Sequence, residues 1–336
     1  MMPSPPTATI SDKTPTGLGE ALATWALCAF VAVEVFVTQS RLPAADLYHP
    51  ASSGISEGGY ALLSFTGFAG ALVALAILPI IFDRVRARTV AIAALVAGVL
   101  AGSILWPGAI HEADIDVSSG RILPALGAGL MLILTIDATR RVGTGDTWRR
   151  QRGDVARIGL GAVLVCMGLP WMAADLGLSL NLPGLHWLYQ TDQLRSQPGV
   201  PGLHEAVHEG HHHGMNGVLL AAAALILSRA LPRVHGGRLR HALAGYLALL
   251  LAYGFGNAVQ DFWLEQIVKR GLTSFQLPMV LTPALNWGCA AVLLAAVAVY
   301  ALAFRPLAFS GDETPRRRWL LPGARSSSLP RPAASA

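Results

Sequence analysis

Residues 214–231 read GMNGVLLAAAALILSRAL, residues 232–240 read PRVHGGRLR, and residues 241–259 read HALAGYLALLLAYGFGNAV. Each outer run is close to the ~20 apolar residues that carry a helix across a bilayer. The connection between them is short and basic, so the two runs must lie antiparallel as a hairpin. Working outward, six further apolar runs have the same character: 17–38, 59–82, 89–107, 121–138, 156–173 and 279–304. Composition agrees, with 53% hydrophobic and 13% charged residues and a mean hydropathy of +0.49. Such a chain has too little polar surface for an ordinary soluble globule. The expected fold is all-α, a polytopic integral membrane helix bundle of about eight transmembrane helices spanning residues 17–308. The Pro/Thr/Ser-rich residues 1–16 and the basic residues 309–336 are expected to be disordered cytoplasmic ends.

Arginine placement orients the bundle, because positive charge is retained on the cytoplasmic side. With both termini inside (N-in/C-in), only Arg41, Arg121, Arg195, Lys269 and Arg270 of the 25 basic residues fall outside. The basic balance therefore reports topology and excludes nucleic acid as a partner. The first run is too long for a signal peptide and carries Glu34 inside it, so it is expected to remain uncleaved. Cys28, Cys166 and Cys289 fall in three different runs, which argues against disulfides and against a thiolate metal site. Asp137 lies beside Arg140 and Arg141, where a local ion pair explains it. Two lysines against 23 arginines, with abundant Ala and Gly, suit a bacterial plasma (inner) membrane protein.

Immediately before residue 214 stands His204-Glu205-Ala206-Val207-His208-Glu209-Gly210-His211-His212-His213, which holds five of the chain's ten histidines. Neutral imidazoles and carboxylates at this density are what a transition metal requires, and such ligands accept Zn, Fe or Cu alike. If residues 204–213 extend the following helix, His204, His208 and either His211 or His212 share one face. His204-Glu205-Ala206-Val207-His208 resembles the H-E-x-x-H motif of zinc peptidases, in which the glutamate acts on a metal-bound water. Gly210 and His211 are out of register with the longer metzincin form. His204-x3-His208-x2-His211-His212 also resembles the histidine boxes of membrane desaturases and hydroxylases. These likenesses are of residue type and cover nine residues.

The seventh run supplies carboxylates at a matching depth. Reflection about the hairpin connection sets residue 211 level with residue 261, and Asn257, Asp261, Glu265 and Lys269 follow one another at helical spacing. The expected site therefore lies between helices six and seven, in and beside the extracytoplasmic segment 174–213, with His204, His208, His211, His212, Asp261 and Glu265 as metal ligands. Asp175 and His111 rank next as ligands, and Glu205 and Glu209 are the candidate general bases. The expected function is a metal-dependent membrane enzyme of hydrolase or oxidase/hydroxylase type, acting among membrane lipids on a lipid-like or small apolar substrate. The alternatives are extracytoplasmic Cu or Zn capture and homeostasis, or a cofactor-binding subunit of a membrane complex. Glu34, the acid lying well inside a run, is a second functional candidate.

Overall fold

The computed structural model of the protein describes residues 16–41, 55–85, 87–106, 109, 119–145, 150–175, 190–197, 200–207, 212–268 and 271–310. Its α-helices are α1 (Leu18–Arg41), α2 (Ile55–Phe65), α3 (Ala71–Arg84), α4 (Arg88–Gly102), α5 (Ile122–Val142), α6 (Asp154–Asp175), α7 (His212–Ser228), α8 (Gly237–Trp263), α9 (Trp287–Val299) and α10 (Arg305–Ser310). A π-helical turn at Thr66–Gly70 joins α2 to α3, another at Leu264–Val268 extends α8, and a third at Tyr300–Phe304 joins α9 to α10. Among the described residues, seven helical segments are long and apolar enough to cross a membrane: Leu18–Ser40, Gly58–Arg84, Arg88–Leu105, Ile122–Val142, Gly214–Arg233, Gly237–Val268 and Trp287–Phe309. The 22-residue α6 occupies the place of the expected run 156–173 without being among those seven.

At the centre is α3, whose Ile77, Ile80 and Ile81 are fully buried and which packs on α1, α4, α5, α7 and α8. The periphery is the reverse. Val99 of α4, Leu294 of α9 and Leu302 beyond it are 66%, 72% and 81% exposed, and apolar surface on this scale suits contact with lipid. Small residues set the α7–α8 crossing. A Cβ placed on Gly217 of α7 would lie 2.5 Å from the Gly254 carbonyl oxygen of α8, and one on Gly254 would lie 2.6 Å from that of Gly217. Only glycine lets the two backbones approach this far, as small residues commonly do where membrane helices pack.

One end of the bundle is closed by ion pairs. Glu20, at the start of α1, accepts a hydrogen bond from Arg233 Nη1 at 2.5 Å, and Arg229 Nε lies 3.7 Å from the same carboxylate oxygen. Arg229 Nη1 also reaches Asp154 Oδ1 of α6 at 2.5 Å, where Arg157 joins it at 2.9 Å. Asp83 of α3 accepts from the His235 backbone N–H at 2.9 Å, and Arg84 donates to the Arg233 carbonyl. Arg240, fully buried, donates to the Val234 carbonyl at 2.8 Å and to the Ala308 carbonyl of α10 at 2.6 Å. Burial would raise the Asp154 carboxyl, but the Gln151 N–H together with Arg229 and Arg157 hold it below its ordinary value. Thr16 Oγ1 donates to the Gly143 carbonyl after α5, which brings the beginning of α1 to the same end. We refer to this as the arginine end.

Several expectations need correction. Outside the helices, Gln190–Gln197 (β1) and Val200–Val207 (β2) form an antiparallel hairpin pairing Arg195 with His204 and Leu194 with Glu205. The fold is the expected helical bundle, with a small β-hairpin outside the helices. Pro201 and Gly202 near the strand start disfavour helix in this stretch. The final run starts later than residue 279. Pro278 and Pro283 disfavour helix, and Asn286 caps α9, its Oδ1 accepting from the Cys289 N–H at 2.8 Å. The local pair of Asp137 with Arg141 is present at 2.7 Å, and all three cysteines are free.

Candidate functional site

The site expected between helices six and seven falls between α7 and α8, at the end away from the arginines. Gly217 is packed against Gly254 and the Ala258 amide, so the first residue of α7, His212, lies about one turn beyond that crossing on one helix and Asp261 about one turn beyond it on the other. The hairpin reading thus places the start of α7 and the carboxylate of α8 at a common level. Asp261 is buried, 2% exposed, and so is Asn257 one turn below it. The third member of the buried line is Gln266. Spacings of four and then five residues follow from the π-turn at Leu264–Val268, which accommodates one additional residue per turn.

Polar groups from other elements converge on this half of the bundle. Arg121, immediately before α5, is 4% exposed, and its guanidinium lies over the Phe68 ring, 5.6 Å from the centroid. Phe68 belongs to the π-turn Thr66–Gly70. In the same turn, a Cβ on Gly67 would meet the Arg121 carbonyl oxygen at 2.5 Å, so glycine is what admits the Arg121 backbone. Tyr253 of α8 donates to the Leu281 carbonyl at 2.7 Å, holding the irregular stretch before α9 against the bundle. Asn257 Nδ2 donates to the Tyr253 carbonyl at 2.9 Å. Its Oδ1 is buried with no hydrogen-bond partner among the described residues, and an acceptor left in that condition is costly unless something donates to it.

The remaining predicted residues divide sharply. His204 and Glu205 lie on β2, His212 opens α7, Asp175 closes α6, and Glu265 lies in the π-turn of α8. His208, Glu209, His211, His111 and Lys269 fall outside the described residues. The helical continuation of α7 through residue 204 is overturned, and with it the shared helical face of His204 and His208. The chemistry of H-E-x-x-H depends on two histidines one helical turn apart, and a strand through Val207 does not supply that spacing. Among the described residues, no three His, Cys, Asp or Glu side chains come together as a group able to hold a metal ion.

The buried Arg121 and Gln266 were not anticipated as site residues. Arg121 reads in the sequence as a loop charge next to an apolar run. Its signal was its position, one of the five basic residues that the charge count sets apart from the other twenty. No family model, curated protein or solved structure matches the chain.

Proposed function

We propose that the protein is an eight-span, N-in/C-in protein of the bacterial plasma membrane that binds a transition metal (Zn, Fe or Cu) at its extracytoplasmic face. The arginine end is then cytoplasmic, in keeping with the positive-inside rule. The observation that carries the metal reading is the buried Asp261 carboxylate, set by the Gly217/Gly254 crossing at the level where the histidine-rich segment enters α7. Imidazoles with carboxylates make an effective set of metal ligands, and this carboxylate stands at the level of the histidines. In this reading His204, His208, His211, His212 and Asp261 supply the ligands, with Glu265, Asp175 and His111 available to complete the set. A metal-bound water activated by Glu205 or Glu209 would make the protein a metal-dependent membrane enzyme acting on a lipid-like or small apolar substrate.

A second reading, metal capture and homeostasis, is favoured by the strand at Val200–Val207. That strand removes the helical spacing on which a zinc-peptidase mechanism relies, while leaving a histidine-rich segment that binds metal without catalysis. Metal per chain, measured by mass spectrometry on untagged protein purified in detergent, tests both readings. A stoichiometric metal that is lost in His204→Ala/His208→Ala and reduced in Asp261→Asn is expected. Absence of metal from the wild type after chelator-free purification overturns the proposal.

A further inference from the structure

A different feature, independent of the metal reading, lies in α1. Glu34 is 5% exposed, within a segment apolar enough to cross a membrane. It lies seven residues, about 10 Å of helix, before the end of α1 at Arg41. Oε1 accepts from Thr38 Oγ1 at 3.0 Å, one turn along the same helix. Oε2 is buried with no hydrogen-bond partner among the described residues.

The contrast with Glu20 on the same helix is direct. Glu20 is equally withdrawn from solvent, yet two guanidiniums meet it. The helices packed on α1 are α2, α3, α5 and α7. Their titratable and charged groups are Glu57 and Tyr60 on α2, Asp83 and Arg84 on α3, Asp137, Arg140 and Arg141 on α5, and His212 and His213 on α7, with Arg121 just ahead of α5. Asp83 and Arg84 bond at the arginine end. Asp137 pairs with Arg141 at 2.7 Å. Arg121 lies over Phe68. Tyr60 is half exposed.

An ionised carboxylate here would have a single neutral hydroxyl to stabilise it in hydrocarbon, whereas intramembrane acids are normally paired or line a functional path. A metal cation would require several oxygen ligands, and among the described residues Thr38 is the one side chain bonded to this carboxylate. A proton needs one oxygen. We propose that Glu34 is an intramembrane proton-binding site, with its carboxyl carrying a proton at neutral pH and exchanging it with the side of the membrane nearer Arg41.

The test uses N,N′-dicyclohexylcarbodiimide, which partitions into hydrocarbon and reacts with protonated carboxyls. The carboxyl O–H adds across one C=N bond, the proton passing to nitrogen as the O–C bond forms. Acyl migration to nitrogen then leaves a stable adduct with no group lost. Full-length wild-type protein in membranes is treated at about pH 7, where an ordinary glutamate with a pKa of about 4.3 is ionised, and the adduct is mapped by peptide mass spectrometry. We expect Glu34 to be labelled at least about tenfold more than the ion-paired Glu20, with labelling falling as pH rises and with a water-soluble carbodiimide ineffective. Glu34→Gln abolishes that adduct and Glu34→Asp retains it. The proposal is overturned if Glu34 stays unlabelled while the same peptide reacts in denatured protein at low pH. It is equally overturned if the water-soluble reagent labels Glu34 as well as the hydrophobic one, which would mean a hydrated carboxylate. Protection by added sodium or potassium at fixed pH would assign the site to a metal cation instead and would also overturn it.

Discussion

The two ends of the bundle bury comparable amounts of polar chemistry and treat it in opposite ways. At the arginine end each carboxylate meets a guanidinium or a backbone N–H contributed by another element, so Glu20, Asp83 and Asp154 tie α1, α3 and α6 to the residues around the α7–α8 connection. At the far end Asn257 bonds within its own helix and leaves an acceptor unmet, and the irregular backbone around Leu281 accepts from the Tyr253 hydroxyl and, at Met279, from the Asn286 amide. Glu20 Oε2 and Arg84 Nε also lack a hydrogen-bond partner among the described residues, so the difference lies in cross-linking: polar bonds between elements rigidify the structure that holds them, and bonds within one helix do not. The comparison teaches that the arginine end is a clamp between helices, whereas the far end is joined by fewer bonds between elements.

Breaking the clamp should produce the largest effect. Glu20→Ala leaves Arg233 and Arg229 without their shared carboxylate, and removal of one partner from a buried pair costs about 3–5 kcal/mol. A pronounced loss of thermal stability in detergent is expected, and an Arg233→Met second change should recover part of it. An unchanged melting temperature in Glu20→Ala would erase the distinction between the ends.

Acid should act on the clamp next. The folded-state pKa of Asp154 is depressed, so its contribution is fully present above the unfolded value of about 3.9 and is lost as pH falls through the folded value. Melting temperature should therefore hold steady from about pH 8 to about pH 5 and drop below about pH 4. Asp154→Asn should be less stable at neutral pH and should flatten that drop. A far-end change should cost less. Asn257→Ala removes one hydrogen bond and one unmet acceptor, so a change within about 1 kcal/mol is expected by the same thermal assay. Smallest of all should be Arg141→Ala, since the Arg141–Asp137 pair is largely exposed and exposed pairs at this helical spacing contribute about 0.5 kcal/mol or less. A larger loss there would place that pair within the clamp.

Much of this architecture was legible because hydrocarbon imposes a simple rule on sequence: long apolar runs must become helices. The hairpin of α7 and α8 followed from two such runs and a short basic link, and the level of Asp261 followed from reflection about that link. The arginines were legible as clusters between apolar runs but not as cross-links. Which carboxylate Arg229 or Arg233 meets depends on helices distant in sequence, and Arg240 spends its donors on backbone carbonyls that no side-chain pattern announces. The β-hairpin was missed because His204 to His213 was read as a continuation of the following helix. Periodicity gives little help in a short polar stretch where strand and helix share the same residues. The buried line on α8 was legible to Asp261 and shifted beyond it, because hydrophobic periodicity carries no signal for an inserted π-turn.

That turn has a consequence of its own. A helix read in steps of 3.6 residues keeps strict phase, and a turn holding one extra residue resets the phase for everything beyond it. Among the described residues this happens three times, at Thr66–Gly70, Leu264–Val268 and Tyr300–Phe304. Each is a one-residue slack in an otherwise rigid rod. Deleting a single residue within Leu264–Val268 would let the rod close up as ordinary α-helix and turn the following chain about 100° around the axis, re-aiming Gln266 and its successors without lengthening a loop or disturbing the arginine end.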